Sequence, residues 1–269
     1  MSSINLNFYA DSLKFRTEVR VVLPDYPFQR DPQVSRETVY DPQKRFPVVY
    51  LLHGFTGDYT DWCTMMPMEA IAARYGFAVV MPHGYNTWYL NVPDGIQMEN
   101  FIADELPAAM QAMLPISVRA EERFIAGLSM GGTGAMRIAL QHPERYKAAA
   151  AMSAVPDPSL PLCEDSPLYT QQLLTSLKAC YGGLEGLEDE HKNIMKLALK
   201  LKREGARIPP LLFQYGEQDV RFEMQYPRFK AFCEENGLPA TCTSAPGGHD
   251  FAYWNPTFLK TMEWFREML

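Results

Sequence analysis

The sequence predicts an α/β fold built on a doubly wound, mostly parallel sheet, and three observations predict it. Short apolar runs alternate with longer stretches of helical spacing along most of the chain. The opening residues instead alternate apolar and polar positions, as an antiparallel hairpin at a sheet edge does. One apolar run passes through a glycine-rich turn straight into a helix.

Ile4 to Tyr9 and Thr17 to Leu23 are the alternating segments, followed by a polar, proline-containing loop from Pro24 to Arg45. Phe46 to Leu52 is almost continuously apolar, the pattern of a parallel strand covered by helices on both faces. Phe77 to Met81, Arg123 to Ala126, Lys147 to Met152 and Leu211 to Tyr215 repeat it. Helical spacing occupies Met68 to Tyr75, Glu99 to Met113, Gly132 to Gln141, Glu223 to Asn236 and Pro256 to Leu269. Parallel neighbours need a crossover, and these helices supply it. The rhythm breaks between Pro156 and Arg207, where proline-rich turns (Pro156, Pro158, Pro161, Pro167) precede charged helical patterns with no strand between them. This stretch, residues 156–207, is expected to form a small cap-like excursion over the strand ends, where open α/β sheets bind their ligands. All 269 residues are read as one domain, because sheets of this class commonly reach that size undivided.

Composition narrows the function. A formal charge of -7, with no dense cluster of lysine or arginine, argues against nucleic acid and anionic membranes as partners and for a small neutral substrate. The five cysteines, Cys63, Cys163, Cys180, Cys233 and Cys242, form no CxxC pair and are a poor disulfide framework. Met1 to Ala10 lacks the basic and apolar regions of a secretory signal, and no apolar run approaches the roughly 20 residues of a membrane span. The cytoplasm is therefore the expected location.

The glycine-rich turn carries the chemistry. Gly127-Leu-Ser129-Met-Gly131 follows an apolar strand and opens a helix, which is the nucleophile-elbow pattern of the α/β-hydrolase fold. A serine there projects above the sheet, and its small neighbours let strand and helix approach closely. An ordinary glycine turn would match the same five residues, but not the strand before and the helix after. Serine needs a base to take its proton, and the base needs a carboxylate to hold its tautomer. Of the five histidines, His249 alone follows a flexible turn, Ala245 to Gly248, and leads into the last helix. That position suits the chain order serine, acid, histidine. Asp219, just past the end of Leu211 to Tyr215, is the expected acid, with Glu217 and Asp250 as rivals. The N–H groups of Met130 and Phe55 are the candidate oxyanion donors, the second in a His53-Gly54-Phe55 turn where Gly54 permits close approach. Trp62, Trp88, Tyr89 and Trp254, with Phe55 and Tyr59, cluster near the strand ends and are candidates to line an acyl pocket, although such aromatics also seal cores. His53 reads as a loop-orienting hydrogen-bond partner.

Five motifs in consistent order extend the pattern over residues 46–269. They are Val48 to Gly57 with Asp61-Trp62, Asn86 to Tyr89 with Phe101 to Pro107, Gly127 to Gly132, Gly216-x-x-Asp219, and Gly248-His-Asp-Phe-x-x-Trp254. Together they resemble the tributyrin esterase branch of the esterase D family. The resemblance implies a carboxylesterase for short acyl esters, with Ser129, Asp219 and His249 as triad and Phe55 and Met130 as oxyanion donors. It also implies assembly as a dimer or tetramer. Relatives include S-formylglutathione hydrolases, feruloyl esterases and carbohydrate acetylesterases. Formylglutathione hydrolases usually carry a cysteine soon after the oxyanion-loop glycine, whereas this chain has Thr56-Gly57 and no cysteine until Cys63. That departure disfavours the thioesterase. Acyl transfer to a sugar or thiol, or an inactive binding protein on the same scaffold, are the further alternatives. Neither a metal nor a cofactor is expected, since acyl transfer by serine requires none.

Overall fold

The computed structural model describes residues 2–25, 35–158, 171–183, 185–219 and 225–269. Among these residues eight strands form one sheet: β1 (Ser2–Ala10), β2 (Phe15–Leu23), β3 (Val48–Leu52), β4 (Ala78–Pro82), β5 (Arg123–Leu128), β6 (Ala148–Met152), β7 (Leu211–Gly216) and β8 (Ala240–Ala245). Their spatial order is β1-β2-β4-β3-β5-β6-β7-β8. β1 and β2 form the predicted antiparallel hairpin, β2 pairs antiparallel with β4, and the strands from β4 across to β8 are mutually parallel. This is the α/β-hydrolase architecture that the sequence predicts.

The helices are α1 (Arg36–Val39), α2 (Asp61–Met65), α3 (Met68–Tyr75), α4 (Met98–Asn100), α5 (Leu106–Met113), α6 (Met130–Gln141), α7 (Gln171–Tyr181), α8 (Ile194–Glu204), α9 (Gln225–Asn236) and α10 (Phe251–Arg266). A π-helical turn, Phe101–Glu105, joins α4 to α5. Side chains of a strand point alternately to its two faces, and the core divides accordingly. Val48, Tyr50 and Leu52 of β3 join one apolar cluster with α5, α6, α8 and α9, whereas Val49 and Leu51 join the other with α3 and α10. Every residue of β3, β4, β5, β6 and β7 is buried, which is why these strands read as apolar runs interrupted only by Arg123 and Gln214.

Three expectations change. β8 was not among the predicted strands: it is a half-exposed edge strand, Ala240-Thr-Cys-Thr-Ser-Ala245, with no apolar run to announce it. α10 begins at Phe251 rather than Pro256, because the Asp250 carboxylate caps it by accepting from the amides of Ala252 and Tyr253. In the 156–207 stretch, α8 is a crossover helix rather than a cap, and it buries Ile194, Leu197, Ala198 and Leu201 in the sheet-facing core beside α6. α7 does reach the loop beyond β4, where the Ser176 hydroxyl donates to the Asn86 carbonyl at 2.9 Å. Pro161, Pro167 and the first residues of the helix expected from Glu223 lie outside the described residues.

Candidate active site

Ser129 lies between β5 and α6 with φ 51° and ψ -120°, a strained conformation for a residue with a Cβ. Close approach on both sides imposes it. A Cβ on Gly127 would stand 2.4 Å from the Gly131 carbonyl carbon, and one on Gly131 would stand 2.3 Å from the Leu52 carbonyl oxygen. The Ser129 amide donates to the Met152 carbonyl at 2.8 Å, tying the elbow to β6.

Asp219 and His249 come from the ends of β7 and β8. The Asp219 amide closes a turn on the Gly216 carbonyl at 2.9 Å, and the Tyr215 hydroxyl donates to the Asp219 carbonyl. The Gln218 amide donates to the Gly247 carbonyl at 2.9 Å, and the Gly247 amide donates to the Gln218 side chain at 2.6 Å. The acid loop and the histidine loop are thereby zipped together. His249 Nδ1 stands 2.7 Å from Asp219 Oδ2, and His249 Nε2 stands 3.0 Å from Ser129 Oγ. With a carboxylate on one side, Nδ1 carries the ring proton and Nε2 accepts from the hydroxyl. Asp219 is 1% exposed and Ser129 9%, whereas the His249 side chain is 13% exposed, so the carboxylate is sealed while the imidazole keeps a narrow edge at the surface. The two rival carboxylates are engaged elsewhere: Glu217 accepts from Ser244 at 3.2 Å, and Asp250 caps α10.

Phe55 and Met130 lie in the two backbone turns that meet beside Ser129. Met130 opens α6, and a Cβ on Gly54 would stand 2.6 Å from Leu128 Cδ1 and 3.6 Å from Ser129 Cβ, so the Gly54-Phe55 turn abuts the elbow. Among the described residues no group accepts a hydrogen bond from either N–H.

A buried network holds this turn. The Gly84 amide donates to His53 Nε2 at 2.8 Å and His53 Nδ1 donates to the Gly54 carbonyl at 2.8 Å, which fixes a neutral imidazole as the loop-orienting partner. Tyr89 donates to the His53 carbonyl at 3.0 Å, and the Thr56 amide donates to Asn86 Oδ1 at 2.8 Å. Arg137, fully buried on α6, donates to the carbonyls of Trp88 and Tyr89 and lies 3.6 Å from Glu99. Sequence reading missed Arg137; the signal was a lone charge in the otherwise apolar helix after the elbow.

Burial pushes the His53 pKa down from 6.5 to about 4. The unfolded chain therefore takes up this proton first, and stability present above pH 6.5 declines as pH falls toward 4. The loss attributable to His53 is about 3 kcal/mol. Urea midpoints across this range are expected to fall, and a His53→Asn variant to show a flatter dependence.

The aromatic candidates separate. Trp62 and Tyr89 are completely buried, Trp62 against Phe251 and Phe258 and Tyr89 bonded to the His53 carbonyl beneath the His53-Gly54-Phe55 turn, so neither presents a ring to a substrate and the pocket expectation fails for both. Trp88, 2% exposed, stacks with Phe55 at 6.3 Å. Trp254 packs against His249. Among the described residues no group of three or more His, Cys, Asp or Glu side chains is arranged to hold a metal ion, and no helix is long and apolar enough to cross a membrane.

The family model described as "Putative esterase" matches residues 12–265. The chain belongs to this esterase family. This esterase is 29% identical over 276 residues to an acetyl esterase of Caldicellulosiruptor saccharolyticus, covering 100% of this chain and 99% of that one. Two solved structures from Staphylococcus aureus match at 25% identity over 98% of each chain. They are the fluorophosphonate-binding serine hydrolase FphF (TM-score 0.83) and the S-formylglutathione hydrolase FrmB (TM-score 0.81). This esterase is thus an enzyme of the serine carboxylic ester hydrolase class.

Proposed function

We propose that this esterase hydrolyses short acyl esters, acetyl to butyryl, with Ser129 as nucleophile, His249 as general base and Asp219 as the acid orienting it. The observation that carries this reading is the hydrogen-bonded chain from Ser129 Oγ through His249 to Asp219, with links of 3.0 and 2.7 Å. As Ser129 attacks the ester carbonyl, His249 Nε2 takes its proton, and Asp219 stabilises the imidazolium. The Phe55 and Met130 amides donate to the oxyanion that forms, aided by the positive N-terminal end of α6. Collapse expels the alcohol, protonated by His249, and leaves an acyl-serine. Water, deprotonated by the same imidazole, attacks the acyl carbon and releases the acid and the free hydroxyl.

The acetyl esterase relative supports a short acyl group. A thioesterase reading is favoured by the likeness to the S-formylglutathione hydrolase, and disfavoured by the Thr56-Gly57 sequence. Kinetics with p-nitrophenyl esters decide between them. Acetate and butyrate are expected to exceed octanoate in kcat/KM by about tenfold or more, the scale of discrimination that a filled apolar pocket provides. Faster turnover of a feruloyl ester or of S-formylglutathione than of either short ester would overturn the short-acyl assignment.

A further inference from the structure

His249 follows Gly247 and Gly248, the first with φ 146° and paired to Gln218 through its amide and carbonyl, so the backbone fixes where the residue starts but not how its ring is tilted. Its hydrogen bonds to Asp219 and Ser129 leave from opposite sides of the ring, at Nδ1 and Nε2. A ring held at two such points can still rock about the line joining them, and rocking tilts the Nε2 lone pair away from the serine hydroxyl. Something else must fix the tilt.

Trp254 is placed to do so. It lies on the first turn of α10, five residues beyond the histidine, and its ring stands 4.9 Å from the imidazole centroid at 82°. The indole is itself held firmly. Phe251 packs against it at 5.1 Å and 87°, and its Nε1 donates to Ser153 Oγ at 3.1 Å. Ser153 is fully buried just past β6, the strand between those that lead to Ser129 and Asp219. Its φ of 50° lies in the left-handed region that a side chain rarely adopts. Its amide donates to the Gln214 carbonyl on β7 at 2.8 Å. The Ser153 hydroxyl thus belongs to the rigid frame of strand tips that carries the nucleophile and the acid, and the indole extends that frame to the base.

We propose that Trp254 is a positioning residue for His249, anchored by Ser153, and that it sets the imidazole's tilt instead of lining the acyl pocket. The proposal rests on the reading of His249 as general base. Ser153→Ala removes the anchor's acceptor, Trp254→Phe removes its donor while keeping a ring, and Trp254→Leu removes the ring. Each variant is assayed with p-nitrophenyl acetate, butyrate and octanoate, with its melting temperature measured alongside.

The expected result is a fall in kcat by one common factor for all three esters, with KM little changed. The factor is about fivefold for Ser153→Ala, the scale of one neutral hydrogen bond, and on the order of 10- to 100-fold for Trp254→Leu. Ser153→Ala combined with Trp254→Phe is no worse than Trp254→Phe alone, because both break the same bond. Trp254→Leu removes core packing, so the comparison relies on Ser153→Ala and Trp254→Phe, whose melting temperatures stay near the parent's. A KM change that varies with acyl length at constant kcat would overturn the proposal, and so would unchanged kcat in both of these milder variants. Failure of the underlying reading has a separate signature: His249→Ala would then retain full turnover, whatever the tryptophan series shows.

Discussion

Replacing Ser129 with alanine is expected to remove about 10⁶ of kcat on p-nitrophenyl butyrate while leaving the fold intact. The size of the effect follows from the division of labour at the site. Without the hydroxyl no acyl-enzyme forms, and the Ser129–His249–Asp219 relay has nothing to activate. On the proposed mechanism the residual rate comes from the Phe55 and Met130 amides acting on direct attack by water, a contribution of about 10³–10⁴ over the uncatalysed reaction. The fold survives because Ser129 is a strained residue whose side chain bonds only at the site, while its amide bond to Met152 is kept. Steady-state kinetics and a melting curve on the same preparation check both halves. Turnover within tenfold of the parent would remove Ser129 from the mechanism.

Asp219→Asn is expected to cost about 10⁴ in kcat through the tautomer of its neighbour rather than through lost structure. The asparagine amide donates to His249 Nδ1, so the ring proton shifts to Nε2. A protonated Nε2 cannot accept from Ser129 Oγ across the 3.0 Å that separates them. Glu217→Gln provides the contrast. Glu217 points at Ser244 instead, so its loss is expected to leave kcat within about twofold, the usual reach of an exposed polar substitution. A minor effect from Asp219→Asn with a large one from Glu217→Gln would transfer the acid's role.

How much of this was legible in the chain depended on burial. β3 to β7 announced themselves because both their faces are covered and every position but Arg123 and Gln214 is apolar or small. β8 pairs with only β7, is half exposed, and spells Thr-Cys-Thr-Ser, so periodicity had nothing to detect. Chain order and the glycine turn pointed to Ser129, Asp219 and His249, which lie within hydrogen-bond distance of one another, because the elbow's glycines answer a steric demand that sequence expresses directly. The aromatics were different. Trp62 and Trp254 sit near strand ends in the same way, yet one is sealed into the core and the other meets the imidazole. Which way a loop side chain turns depends on partners distant in sequence, such as Ser153, 101 positions from Trp254. Arg137 was hidden for a related reason: its acceptors are the Trp88 and Tyr89 carbonyls, in a loop 48 and 49 positions away that carries them in left-handed conformations.

The central claim is that one hydroxyl becomes reactive through its imidazole neighbour and carries the acyl group in mid-reaction. The most direct measurement is to quench the enzyme in acid during turnover of p-nitrophenyl butyrate and to locate the acyl group by peptide mass spectrometry. The butyryl group is expected on the peptide that contains Ser129, and to be missing from that peptide in His249→Ala. Acyl found on another residue, or equal acylation of Ser129 without the imidazole, would contradict the account.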